Sequence, residues 1–148
     1  MTVRVQAEPF DPGAELNAFL TRSAGSGAAV SFTGVVRSLS DDPITALTLE
    51  CYVELALNQL EAIVAQASTR FDLLDTLVIH RFGRMLPGEP IMQVMTLASH
   101  RQAAFDGAQF LMDYLKTDAP FWKQETTPQG TRWVEAKDAD DAAKARWE

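Results

Sequence analysis

A single cysteine, Cys51, stands among 148 residues. One thiol excludes an internal disulfide framework and a zinc site built on cysteines. Cys51 also falls inside a strand pattern, where it reads as a packed apolar residue rather than a nucleophile. Bases are in the minority: 13 Lys and Arg against 20 Asp and Glu leave a net charge of −7. That balance argues against a nucleic-acid binder, which needs cations for phosphates, and against a polybasic membrane anchor. No apolar run approaches the ~18 residues of a membrane span. Met1 to Phe10 lacks the charged-then-apolar pattern of an export signal, so a cytoplasmic protein is the expectation. The two histidines, His80 and His100, do not have metal-ligand spacing. GxSxG, P-loop and GxGxxG patterns are missing as well.

What is present suits a globular chain. Hydrophobic residues make up 47% and charged residues 22%, too apolar for disorder. The length fits one domain spanning residues 1–148. Val3 and Val5 alternate with polar residues, so Thr2 to Ala7 reads as a strand. Asp11-Pro12 is an N-cap followed by proline at the first helical position, opening a helix to about Arg22. Ser23 to Gly27 is a small-residue loop. Ala28 to Arg37 and Ile44 to Tyr52 read as strands around the polar loop Ser38 to Pro43. Leu57, Leu60, Val64 and Ala67 recur at helical spacing between Glu54 and Arg70. Leu73 to Phe82 and Ile91 to Ala98 read as strands around the Pro87-Gly88 turn. Ser99 is placed to cap a helix from Arg101 to Lys116, with Phe105, Ala108, Met112 and Leu115 as its buried stripe. Pro120 ends that helix. Phe121 to Thr127 and Thr131 to Ala136 form a hairpin about Pro128 and Gly130. Asp138 to Trp147 is a short polar helix. Alternating strands and helices followed by a hairpin define an α/β or α+β chain with a mixed or mainly antiparallel sheet.

Charge is unevenly spread. The segment Ile79 to Lys123 is net +1, while the rest of the chain is net −8. Such a segment suits a small anionic ligand; a solvated charged surface explains it as well. His100-Arg101 opens a helix, where free N–H groups and the helix dipole attract anions. A cationic pair is unhelpful to the helix there and makes sense around an anion. The competing reading leaves both side chains in solvent. Lys116 and Lys123 are two of only four lysines. The break at Pro120 turns the chain back between them, so the two amines can converge. Their neighbours Pro120, Phe121 and Trp122 are bulky and apolar. Such surroundings strip water from an ammonium and favour its neutral form, which suits a proton donor or a carbonyl-polarising cation. Taken alone, each lysine is better explained as a solvated surface residue.

Several stretches carry a family resemblance: Ser31-Phe32-Thr33-Gly34-Val35-Val36-Arg37, Ala46-Leu47-Thr48-Leu49-Glu50, Ser99-His100-Arg101, the run Gln109 to Lys123, and Arg132-Trp133-Val134-Glu135-Ala136. In order and spacing, along essentially the whole chain, they resemble the large, catalytic subunit of molybdopterin synthase. Val35 stands where that family often has lysine, and the loop Ser38 to Asp42 is more acidic than is usual there. The resemblance implies an α/β hammerhead fold with an additional antiparallel β-sheet subdomain. It implies a sulfurtransferase that converts cyclic pyranopterin monophosphate into the dithiolene-bearing molybdopterin of molybdenum cofactor biosynthesis. The sulfur would come from the thiocarboxylated C-terminal glycine of a small ubiquitin-like subunit. A homodimer carrying a small subunit at each end, a heterotetramer, is implied, with no metal or redox cofactor.

By matching position, Lys116 and Lys123 are the implied catalytic residues. Val35, Val36, Arg37, His100, Arg101, Gln124 and Glu125 match substrate-contacting positions, and Phe32 and Met112 line the tail or pterin pocket. We expect Arg37, His100 and Arg101 to approach one phosphate, and residues near His100 and Arg101 of a second chain to complete each site. The alternative is a non-catalytic scaffold for a ubiquitin-like tail or a small anion. Retention of both lysines and of the His-Arg pair favours the enzyme.

Overall fold

The computed structural model describes residues 1–22, 25–118, 120–134 and 138–148. In chain order the elements are β1 (Thr2–Gln6), α1 (Pro12–Leu20), β2 (Ala28–Val35), β3 (Ala46–Glu50), α2 (Val53–Phe71), β4 (Asp75–Arg81), β5 (Gly83–Met85), β6 (Pro90–Ala98), α3 (Arg101–Thr117), β7 (Trp122–Thr127), β8 (Gly130–Val134) and α4 (Asp138–Ala145). They build two four-stranded sheets, ordered β1-β4-β6-β2 and β5-β3-β7-β8. β1 runs parallel to β4. The other pairs are antiparallel. The mixed, mainly antiparallel reading therefore holds, and the added sheet is the second one.

The first sheet is covered on both faces, which explains why β4 and β6 are apolar almost throughout. Strand side chains alternate between faces. Val78, Met92 and Val94 meet Leu60, Ile63, Val64, Ala108, Phe110, Leu111 and Leu115 of α2 and α3. Leu77, Ile79, Met95 and Leu97 point the other way, against Phe19 of α1. Full burial of one such side chain contributes roughly 1.5–3 kcal/mol. Asp11 caps α1 as its sequence indicated: its carboxylate accepts from the N–H groups of Gly13 (3.0 Å) and Ala14 (3.2 Å). A third apolar cluster, Val36, Ile44, Leu47, Leu49 and Met85, underlies the second sheet.

The structure corrects several boundaries. α1 stops at Leu20, β2 at Val35, and β3 is confined to Ala46–Glu50. β5 was not anticipated; it is three residues long and exists by pairing with β3. The N-cap of α3 is His100, without a side-chain cap bond, and not Ser99. The buried face of α3 runs through Ala104, Gly107, Ala108, Leu111 and Leu115. Phe105 lies one position round the helix and is 58% exposed, outside the expected stripe. Gly107 marks the close approach: a Cβ there would stand 2.9 Å from Leu73. Of the loop Ser23 to Gly27, the first two residues, Ser23 and Ala24, lie outside the described residues, as do the hairpin's last residues, Glu135 and Ala136.

The C-terminal segment packs back onto α3. The buried carboxylate of Asp113 accepts from Trp147 Nε1 (2.6 Å), an Arg146 nitrogen (3.1 Å) and Gln109 Nε2 (2.8 Å). Arg70 adds a hydrogen bond to the Trp147 carbonyl at 2.9 Å.

Candidate active site

A cavity of about 130 Å³ opens where the two sheets and the C-terminal end of α3 meet. Lys116 and Lys123 both face it. Lys116 sits in the last turn of α3, where a cation suits the helix dipole. Lys123 is fixed in mid-sheet, paired with Leu49 on one side and Val134 on the other. The break after α3 thus does what Pro120 implied: it carries the chain from a helix end into a strand that returns to the same slot. Lys116 keeps its exposure to solvent and Lys123 is half-buried.

Apart from His80, the remaining walls are apolar: Phe32, Gly34, Val35, Leu49, Ile91, Met92, Met112, Leu115 and Phe121. Phe32, Val35 and Met112 were expected there. The ladder between β2 and β6 shifts register between Gly34 and Val35, and such irregularities bend a strand and re-aim its side chains. Gly34 also leaves room for Met92, whose Cγ would lie 3.2 Å from an added Cβ.

The other expected residues lie elsewhere. Val36 turns into the apolar cluster under the second sheet, 3% exposed. Its N–H donates to the Glu89 carbonyl (2.9 Å) and its carbonyl accepts from Gly88 N–H (2.8 Å), so neither its side chain nor its backbone is directed at the slot. Gln124 and Glu125 follow Lys123 along β7 and do not line the cavity. Glu125 is tied to Arg132 at 2.8 Å. Arg37, His100 and Arg101 are all exposed, and they do not converge. The register pairs Ala28 with Ala98 and Val35 with Pro90. Arg37 follows one end of this ladder and His100-Arg101 follows the other, separated by seven residue steps, or ~24 Å at the usual rise. Within one chain these three cannot grip one phosphate. The cavity lies toward the Arg37 end, since Gly34, Val35, Ile91 and Met92 line it.

One polar residue in the cavity wall was missed. His80, on β4, is 7% exposed and lines the slot beside both lysines. Its ring stacks on Phe121, with centroids 3.8 Å apart and planes 13° apart. Nδ1 lies 2.9 Å from the Arg81 carbonyl. Burial pushes its pKa down to about 4; the carbonyl hydrogen bond opposes that shift, and the charges of Lys123 and Lys116 add to it. The signal was the alternation Thr76, Val78, His80, which sets all three on one face of the strand. Burial raises the Cys51 thiol above its ordinary value, consistent with a packed rather than reactive cysteine.

The geometry first defines a class. An apolar slot with two ammonium groups at its wall, set between a sheet edge and a helix end, accepts a narrow chain ending in an anionic or carbonyl group and can stabilise charge that develops on it. No helix among the described residues is long and apolar enough to cross a membrane.

Comparison with known proteins then gives the family. The model of the MoaE protein family matches residues 5–118. The molybdopterin synthase catalytic subunit of Cereibacter sphaeroides is 53% identical over 147 residues, covering 99% of this chain and all of that one. Among solved structures, the molybdopterin biosynthesis MoaE protein of Burkholderia ambifaria superposes with a TM-score of 0.84 at 48% identity, covering 99% and 97% of the two chains. A complex of subunits 1 and 2 of the molybdopterin-converting factor of Helicobacter pylori shares the fold, with a TM-score of 0.75 at 20% identity over 92% and 90% of the chains. The chain belongs to the MoaE family of molybdopterin synthase catalytic subunits, sulfurtransferases of molybdenum cofactor biosynthesis.

Proposed function

We propose that residues 1–148 work as one large-subunit domain that moves sulfur from the thiocarboxylated C-terminal glycine of a small ubiquitin-like subunit to cyclic pyranopterin monophosphate. The observation that carries this reading is the convergence of Lys116 and Lys123 on one apolar slot. A thiocarboxylate is an anion on a narrow tail. The slot's apolar wall excludes water, which strengthens the field of the two ammonium groups. The thiocarboxylate sulfur attacks a carbon of the pterin side chain; a C–S bond forms as the C–O bond at that carbon breaks, and the oxygen leaves protonated. Water then cleaves the acyl–sulfur bond, and the small subunit leaves as a carboxylate. Negative charge builds on the acyl oxygen and on the pterin as these bonds change. Lys116 and Lys123 stabilise that charge or donate a proton to it. Phe32 and Met112 pack along the tail, and Val35 borders it.

The phosphate is held by arginine forks. Arg37 lies at the near end of the β2–β6 ladder and His100-Arg101 at the far end, so the clamp is closed by His100 and Arg101 of a second copy. The working form is a homodimer with two shared sites and a small subunit at each. Gln124 and Glu125 lie outside the slot and take no part in holding the tail. The setting is the cytoplasm. The experiment is reconstitution: purified chain, thiocarboxylated small subunit and cyclic pyranopterin should yield the dithiolene pterin. Binding of both ligands without product would leave a scaffold instead.

A further inference from the structure

His80 has no role in the chemistry described so far, yet among the described residues it is the polar side chain that joins the two lysines in the wall of the slot. A carbonyl oxygen only accepts, so the 2.9 Å contact with Arg81 places the ring proton on Nδ1. Nε2 is then a bare acceptor. The ring lines the slot together with both lysines. Phe121 fixes the ring by stacking on its face. Lys123 follows Phe121 by two residues, and both side chains line the same slot. Phe121 thus delivers the Lys123 ammonium to the neighbourhood of the imidazole. Lys123 acts on the ring's charge more strongly than Lys116 does.

We propose that His80 is a positioning residue for sulfur transfer: Nε2 accepts a hydrogen bond from the Lys123 ammonium and fixes the direction in which that ammonium offers its other protons to the reacting group. The inference rests on the sulfur-transfer reading for its consequence, though not for its geometry. An ammonium has three donors and rotates freely in water. A bond to a ring held by stacking and by the Arg81 carbonyl restricts that rotation, and alignment of this kind governs rate more than affinity. Phenylalanine in the same place would keep the stack and lose the acceptor.

Two measurements test this. In the wild-type protein without substrate, nitrogen-15 NMR of the imidazole should show a neutral ring at pH 7, protonated on Nδ1 and bare on Nε2. A ring protonated on Nε2 overturns the proposal, whatever the enzyme does. The second is a kinetic double-mutant cycle in single turnover. His80→Phe should lower the rate of product formation ~10- to 100-fold, with substrate and small-subunit affinities within about threefold. His80→Gln, whose amide oxygen can stand near Nε2, should recover most of the loss. In a Lys123→Met background, His80→Phe should cost no more than about twofold, because the group it positions is gone. An equal cost in both backgrounds, or glutamine no better than phenylalanine, would show a structural role only. If His80→Phe does not fold, the glutamine variant and the NMR result decide alone. Failure of the wild-type protein to make product contradicts the sulfur-transfer reading instead, and leaves the tautomer test standing.

Discussion

Replacing His80 with phenylalanine should change how the fold responds to acid. In the folded chain the imidazole takes a proton only near pH 4, against 6.5 for an ordinary histidine, chiefly because the ring is buried. Between these values the unfolded chain binds more protons than the folded one, so stability falls as the pH drops through that window. The contribution is intact above pH 6.5 and lost on approaching pH 4. At about 1.4 kcal/mol per pH unit the full difference is ~3 kcal/mol, and most of it has gone by pH 4.5. For a chain of this size that is ~5–10 °C in Tm. Carboxylates titrate in the same range. Asp75 in particular is held below its ordinary value, its burial being outweighed by the Thr76 N–H, the N-terminal ammonium and Arg22, so its contribution also fades as acid is added. These groups are common to both proteins. The difference between wild type and His80→Phe therefore isolates the imidazole. Thermal melts from pH 7 to 4.5 should show the wild type losing ~5–10 °C more than the variant. The constant offset at pH 7 reports the lost bond to Arg81. Melting curves that fall in parallel would refute the claim that a neutral, buried His80 lines the slot.

Lys116→Ala should lower product formation by at least ~10², with the fold and small-subunit binding preserved; near-normal turnover would remove it from the reaction. Asp113→Asn should cost ~1.5–3 kcal/mol, since the carboxylate's charged bonds to Trp147 and Arg146 become neutral ones, and calorimetry should record a Tm lower by roughly 3–12 °C. Arg101→Ala should weaken precursor binding by ~1.5–3 kcal/mol and leave small-subunit affinity unchanged in separate titrations. Mixing Arg101→Ala with Lys116→Ala should restore activity, because one site of the mixed dimer then carries both intact residues; no recovery after subunit exchange would place the whole site within one chain.

Local order was legible in the sequence. The Asp11-Pro12 start of α1, the helical spacing of Leu60, Val64 and Ala67, and the turn at Pro87-Gly88 all depend on near neighbours, and the structure has them. The lysine pair was legible for the same reason: Pro120 lies between Lys116 and Lys123 and forces a return. What depends on pairing between distant strands was not legible. β5 has no pattern of its own and exists because Leu47 to Leu49 lies beside it. Arg37 and His100-Arg101 looked able to meet because each ends or begins an element; only the β2–β6 register shows that they cannot within one chain. Phe105 was misplaced by one helical position, which the apolar spacing alone does not resolve. His80 shared its strand face with Thr76 and Val78, but its charge type grouped it with the surrounding arginines. Its burial follows from Phe121, forty-one residues later.

The most direct test is the fate of the small subunit's C-terminus. With the wild-type protein and cyclic pyranopterin together, mass spectrometry in oxygen-18 water should show the thiocarboxylate becoming a carboxylate that carries one heavy oxygen, in step with dithiolene formation. Omitting the pterin, or using Lys116→Ala, should leave the thiocarboxylate intact. Sulfur that stays on the small subunit in the complete wild-type mixture, or that leaves equally fast without the pterin, would contradict transfer at the lysine-lined slot.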